Sequence, residues 1–292
     1  MVARIASIAP LLAVLALTAC GGAEPDDEPS ADEADELKKC GAPVDWRPDM
    51  FESFDAWDDA RWTKEDGLVP PRTKTCYTAA NVDVRDGMLR IATRDESVCG
   101  GQPYSGGGVT SYGKFWTGKY FKAEIRAKVS QEKGIFGAPI WFRPGNAAGA
   151  TTVGGEIDVV ESLGSWDTPK FQQTLHPDYG DTQSHFVYDH TRYDALGDKA
   201  GTEFHVYTVV KVPNGITFYT DGKRTAGWGC GHPDNLKRPA YFKRWFEDTP
   251  DGWSIRIDNK VGGPWAGDPG KTTSWGAKTA MEIDYIKVWR PR

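Results

Sequence analysis

The chain is poor in the residues that hold metals: five histidines and five cysteines in 292 residues, with no His-Glu-x-x-His motif and no Cys-x-x-Cys pair. Metal-dependent hydrolysis and a zinc-stapled fold are therefore unsupported. Helical periodicity is nearly absent, as are heptads and internal repeats, which argues against a bundle, a coiled coil or a solenoid. The longest apolar run, Ile5 to Leu17, is too short for a comfortable membrane span. Nor is there an excess of base. The net charge is -6, and eight acids with no base among them stand between Glu24 and Glu36. Without those eight, 33 acids face 35 bases. A near-neutral remainder has no electrostatic footprint for nucleic acid, and it accommodates an uncharged polymer more readily than a strongly anionic one.

Three regions follow from composition. Residues 1–20 carry one positive charge at Arg4, the apolar run, and Leu17-Thr18-Ala19-Cys20. This pattern is that of a secretory segment. Its last four residues resemble the lipobox of bacterial lipoproteins, which would make Cys20 the lipidated residue; the alternative is an ordinary signal peptide cleaved nearby. Several acyl chains on one cysteine anchor stably where one does not. Export from a bacterial cell, either membrane-anchored or secreted, is the expectation, with the membrane touched only through that N-terminal lipid. Residues 21–39 are acidic, lack aromatics and contain Pro25 and Pro29. Such a segment buries too little apolar surface to offset chain entropy and reads as a disordered tether. Residues 40–292 suffice for one large domain, expected to be a monomer.

Within that domain short β-rich runs recur between Gly, Pro, Asn and Asp: Met88 to Thr93, Tyr120 to Val129, Ile135 to Phe142, Glu156 to Ser162, Phe171 to His176, Phe204 to Val212, Ile216 to Thr220, Ser254 to Asn259 and Met281 to Trp289. Several alternate, as in Phe121-Lys122-Ala123-Glu124-Ile125-Arg126-Ala127-Lys128-Val129. One dry and one wet face imply an all-β sandwich of two antiparallel sheets. Cys40, Cys76, Cys99 and Cys230 read as disulfides in an exported chain. Of three possible pairings, Cys76 with Cys99 and Cys40 with Cys230 are favoured, the first bracketing a loop-rich hairpin and the second tying the domain's entry to a distant loop.

One stretch stands apart, Gly155-Glu156-Ile157-Asp158-Val159-Val160-Glu161-Ser162, with three carboxylates in six residues of an apolar run. In a strand Glu156 and Asp158 share a face, whereas Glu161, five positions past Glu156, falls on the other. A β-bulge at Val159 or Val160 restores the parity and gathers all three acids on one side. A retaining glycosidase needs two carboxyl groups about 5 to 5.5 Å apart, one as nucleophile and one as general acid/base. The Cα atoms of the two glutamates would still be roughly 13 Å apart, so both side chains must lean inward over Asp158. Close like charges cannot all ionise, so one carboxyl stays protonated. The alternatives are an acid-decorated β-edge and a calcium site.

Glu156-Ile157-Asp158-Val159-Val160-Glu161 resembles the active-site signature of glycoside hydrolase family 16, which includes laminarinases, lichenases, agarases and carrageenases. The form here is one residue longer than the lichenase form and is similar to the bulged branch. The resemblance extends through Phe51-Glu52-Ser53-Phe54-Asp55, Asp86-Gly87-Met88-Leu89, Gly107-Gly108-Val109-Thr110-Ser111, Trp141-Phe142-Arg143-Pro144, Gly262-Gly263-Pro264-Trp265 and Met281-Glu282-Ile283-Asp284-Tyr285. It implies a β-jelly roll with an open concave cleft, Glu156 as nucleophile, Glu161 as acid/base and Asp158 between them. It implies no catalytic cofactor, and a structural calcium on Glu52, the Gly87 carbonyl and Asp284.

Sugars need flat aromatics and hydrogen-bonding partners. Trp141, Trp166 and Trp265 are the candidate platforms, against core packing as the alternative. His176 would bond Asp158 or a sugar hydroxyl, or is simply a half-buried histidine; Arg143 emerges on the face of Trp141. His205 reads as structural. The expected activity is endo-cleavage of a polysaccharide by double displacement, a β-1,3-glucan first. Transglycosylation on the same chemistry and a non-catalytic surface lectin are the alternatives.

Overall fold

In a computed structural model of the chain, residues 45–144, 155–176, 187–229, 243–247 and 252–292 are described. Their strands run in chain order as β1 (Trp46–Glu52), β2 (Thr63–Lys64), β3 (Thr75–Tyr77), β4 (Val82–Arg85), β5 (Met88–Ile91), β6 (Tyr104–Thr110), β7 (Phe121–Lys128), β8 (Ile135–Pro144), β9 (Glu156–Leu163), β10 (Lys170–His176), β11 (Val187–Arg192), β12 (His205–Val212), β13 (Gly215–Thr220), β14 (Lys223–Gly229), β15 (Trp253–Val261) and β16 (Met281–Pro291). Single turns of 3-10 helix at Ala79–Asn81 and Tyr193–Leu196 and a π turn at Lys243–Glu247 are the helical elements among the described residues. No helix among them is long and apolar enough to cross a membrane.

The strands form two sheets, one in the order β14-β13-β12-β7-β16-β5-β4 with β1 on β16, the other β11-β10-β9-β8-β15-β6-β2. Pairing is antiparallel except where β3 joins β6. Chain neighbours are often not sheet neighbours, as where β7 lies between β12 and β16, which is the crossing connectivity of a jelly roll.

Alternation explains the layers. On β7, Phe121, Ala123, Ile125 and Ala127 enter the core while Lys122, Glu124, Arg126 and Lys128 face away. Ile157, Val159 and Val160 of β9 and Ile255 and Ile257 of β15 meet them from the other sheet. Every strand expected from the sequence is present, within a residue or two at its ends. The glycine-rich β6 is less obvious. A β-carbon at Gly106 would come within 2.3 Å of the Asn259 carbonyl oxygen, so this strand is glycine because neighbouring backbone lies against it. Cys76 and Cys99 form the expected disulfide, closing a separation of 23 residues. Cys20, Cys40 and Cys230 lie outside the described residues.

Candidate active site

The second sheet carries the acids. Between β9 and β10, Asp158 pairs with Thr174 but Glu161 with Gln172, so β9 spends one residue more than its partner. Against β8, Val160 opposes Ile140 and Asp158 opposes Trp141, which leaves Val159 as the extra residue. This is the bulge that the parity of the sequence requires, and its effect is to bury both valines in the core while Glu156, Asp158 and Glu161 remain on the opposite face. The three are 5%, 2% and 7% exposed. Three carboxylates at that burial carry a large desolvation cost unless their neighbours compensate.

Compensation comes from the flanking strands. From β10, Gln172 Nε2 and Thr174 Oγ1 donate to Glu161 Oε2 at 2.9 and 3.3 Å. His176 Nε2 lies 3.0 Å from Asp158 Oδ2. From β8, Arg143 Nε approaches Glu156 Oε2 to 3.8 Å. Burial, followed by the charges of Glu156 and Glu161, pushes Asp158 well above the usual carboxylate range, and His176 works against this. Burial alone would depress His176, but its bond to Asp158 and the three carboxylates raise it to about 9. Asp158 and His176 thus hold a proton between them beside the two glutamates. Glu156 and Glu161 lie on either side of a residue that resists ionising, an arrangement suited to assigning different roles to two carboxyl groups.

His176 and Arg143 thus lie beside Asp158 and Glu156, and Trp141 stands opposite Asp158 in the β8–β9 register. Trp166 packs against Phe136, Ala266 and Leu163, which lies two residues along β9 from Glu161, and Trp265 meets Phe136, the ring that lies under Lys260. Trp166 packs edge-on to His190 at 5.2 Å and under Lys170; Trp265, 46% exposed, meets Phe136 at 6.1 Å and the Arg72 guanidinium at 5.6 Å. Both indoles are accessible. His205 is bound between Asp221 at 2.7 Å and Asp198 at 3.4 Å, the structural position expected.

The strand β15 is expected from the sequence, but its polar residues are not among the site residues read there. Its polar residues Arg256, Asp258 and Lys260 project among the acids and Trp141. The Trp141 Nε1 donates to Asp258 Oδ2 at 2.9 Å, Lys260 Nζ lies 3.0 Å from Asp258 Oδ1, and Arg256 lies 3.8 Å from Glu65. Glu65 is itself raised, by burial and then by Asp258. The signal was in plain view: Arg256, Asp258 and Lys260 alternate with apolar Ile255 and Ile257 just as Glu156 and Asp158 do with Ile157.

Glu156, Asp158 and His176 each offer an atom within 4.8 Å of the others, the only such trio of candidate ligands among the described residues, but Asp158 and His176 are engaged with one another. The expected calcium set fits poorly. Glu52 Oε2 accepts from Trp62 Nε1 and from Arg61, both at 2.9 Å, its Oε1 accepts from the Phe54 amide, and Asp284 is paired with Arg126. A guanidinium beside each carboxylate stands where a hard cation would need oxygen.

Comparison with known proteins places these features. The sequence model of glycosyl hydrolases family 16 matches residues 71–234. A keratan-sulfate endo-1,4-beta-galactosidase of Sphingobacterium multivorum is 28% identical over 256 residues, 83% of this chain and 54% of that protein, so the chain spans about half the length of that relative. A beta-glucanase of Rhodothermus marinus is 27% identical over 227 residues, 73% of each. Among solved structures, the catalytic domain of an endo-1,3-beta-glucanase (laminarinase) from Thermotoga petrophila RKU-1 superposes with a TM-score of 0.71 at 28% identity, covering 85% of this chain and 99% of that one.

Proposed function

Since the chain belongs to glycosyl hydrolases family 16, we propose that it is an endo-acting, retaining β-glycanase whose substrate is a β-1,3-glucan. The observation that carries the chemistry is the β9 bulge, which sets Glu156, Asp158 and Glu161 on one face. Glu156 attacks the anomeric carbon as Glu161 protonates the departing glycosidic oxygen; the C–O bond breaks and a glycosyl ester forms on Glu156. Water then adds to that carbon, Glu161 takes its proton, and Glu156 leaves as the carboxylate. Asp158 and His176 hold a proton next to this pair and limit the negative charge in the site. A sugar hydroxyl replacing the water gives transglycosylation by the same steps.

Charge supports a neutral substrate. Among the described residues, Arg143 faces Glu156, Arg256 faces Glu65 and Lys260 faces Asp258. A sulfated galactan calls for cations in excess of acids. A pure lectin has no use for three buried carboxylates, whose electrostatic cost is justified by turnover. Export, with Cys20 as the lipid-bearing residue, belongs to the same proposal and rests on residues 1–20 of the sequence.

The test is to incubate residues 40–292, and the Glu156→Gln variant, with laminarin, lichenan, agarose, carrageenan and keratan sulfate, scoring reducing ends and the anomer first released. The expected result is cleavage of laminarin with retention and near-complete loss in the variant. Cleavage of keratan sulfate alone overturns the glucan assignment, and binding without cleavage favours the lectin.

A further inference from the structure

Two residues that the double displacement does not use sit beside it. Asp258 is 3% exposed on β15, and each of its oxygens is engaged: Oδ2 accepts the indole N–H of Trp141 at 2.9 Å, and Oδ1 meets Lys260 Nζ at 3.0 Å. A buried carboxylate accepting from a neutral donor and a cation at once is fixed in rotamer, and it fixes its donors in turn. Trp141 stands opposite Asp158 in the β8–β9 register, so the indole whose plane Asp258 sets is the one alongside the acids. With its N–H committed to Asp258, Trp141 has its ring to offer to a ligand. The guanidinium groups of Arg256 and Arg143 lie 5.2 and 5.9 Å from that ring.

Lys260 is anchored from below. It opposes Phe136 across β15–β8, and its ammonium lies 4.7 Å over that ring. Two strands away, Glu161 stands at the same level. Asp258 falls between the Ile257–Ile140 and Asn259–Gly137 pairs, and Glu161 between the Val160–Ile140 and Ser162–Gly137 pairs. Among the described residues, Glu161 also has Asp158 and Glu156 along β9, and Gln172, Thr174 and His176 on β10; Arg143 comes from β8, and Lys260, Asp258 and Arg256 with Glu65 from the β15 side. Burial opposes the charge on Lys260, yet Asp258 and then Glu161 and Glu156 hold its ammonium above the ordinary lysine range.

We propose that Asp258 and Lys260 form a positioning pair for the family reaction: Asp258 orients Trp141 as a sugar platform, and Lys260 supplies a fixed positive charge at the level of Glu161, two strands from it. The inference rests on the glycanase reading, and the two members of the pair have separable signatures. Removing a cation disfavours both carboxylates, so both limbs of the pH profile move up; removing an anion does the opposite.

The experiment measures kcat and KM against pH for Asp258→Asn, Asp258→Leu and Lys260→Met, each checked for an unchanged circular dichroism spectrum. Asp258→Asn keeps an acceptor for the indole, so KM stays within about twofold while the profile moves to lower pH by about half a unit. Asp258→Leu removes the acceptor, and KM rises about fivefold or more with a smaller change in kcat. Lys260→Met moves the profile up by about half a unit. A KM for Asp258→Leu equal to that of Asp258→Asn, or charge variants that shift the profile together or not at all, overturns the pair. A second reading needs no turnover: carbon-13 NMR at Lys260 Cε should give a lower midpoint in Glu156→Gln and Glu161→Gln than in the parent chain. Unchanged midpoints in both refute the coupling. Failure of the parent chain to cut any polysaccharide would sink the glycanase reading and leave the NMR arm to decide this one.

Discussion

The two sheets each carry a strand that alternates charge with aliphatic residues, and they use it in opposite ways. On β7 and β16 the outward charges are of mixed sign and pair across the strands: Arg126 with Asp284, and Lys128 with Glu282, which also lies 4.0 Å from Arg90. These side chains are 18–39% exposed across the three pairs, and water shares the cost of holding them. On β9 the charges are of one sign and almost wholly covered, and neighbouring strands supply the compensation. Mixed charges on an open face are what any sandwich uses to stay soluble; like charges gathered by a bulge are costly and are kept for chemistry.

The largest effect expected is on the gathered acids. Glu156→Gln or Glu161→Gln should lower kcat on the preferred polysaccharide by about a thousandfold or more, without loss of fold, since each removes a participant in bond making or proton transfer. Initial rates with a chromogenic oligosaccharide would measure it, and a loss under tenfold in both would remove the acids from the mechanism. The bulge can be tested separately. Deleting both Val159 and Val160 puts Glu161 three positions past Glu156, an odd offset that turns it toward the core, and should abolish activity. Deleting Val159 puts Glu161 four positions past Glu156, back on the same face of a regular strand, and should keep activity within about a hundredfold at a stability cost of about 1 to 3 kcal/mol for the lost methyls. If the single and the double deletion prove equally damaging, parity is not what the bulge serves.

Much of this was legible in the sequence because strand parity is a local rule. The odd offset between Glu156 and Glu161 demanded a bulge, and the alternation of Phe121 to Lys128 named its two faces. Asp258 and Lys260 were not read as part of the site, because β15 is distant in the chain from β9 and reaches it only through the β8 pairing. Trp166 and Trp265 flank motifs in sequence, and both gather around Phe136, the ring under Lys260, a grouping made by β8 and β15 that chain proximity alone does not give. Glu52 and Asp284 were similarly ambiguous until Arg61 and Arg126 appeared beside them.

Proton inventory gives the next effect in size. Burial and two like charges outweigh His176 at Asp158, so its folded form is raised above the unfolded carboxyl and loses stability as pH rises. Asp158→Asn should therefore raise the melting temperature at pH 7 by a few degrees, about 1 kcal/mol or more, while lowering kcat. His176 is raised to about 9, so its favourable contribution is complete below about pH 6.5, the ordinary histidine value, and is lost between there and about 9. His176→Asn should flatten the fall in melting temperature over that window, and an unchanged slope would show that the bond to Asp158 carries no such proton.

The smallest effect belongs to the other sheet, and its smallness is what the comparison requires. Arg126 and Asp284 are 39% and 36% exposed, so their attraction is screened by water and salt and offset by the entropy of two restrained side chains. Replacing both, Arg126→Gln with Asp284→Asn, should change the unfolding free energy by less than about 1 kcal/mol and leave kcat and KM as they were. Double-mutant analysis in urea at two salt concentrations would measure the coupling directly. A coupling of several kcal/mol would place this face among the elements on which the fold depends. Loss of activity in the double variant would mean that charge on the first sheet reaches the acids across the whole thickness of the core, and the division of labour between the two faces would have to be abandoned.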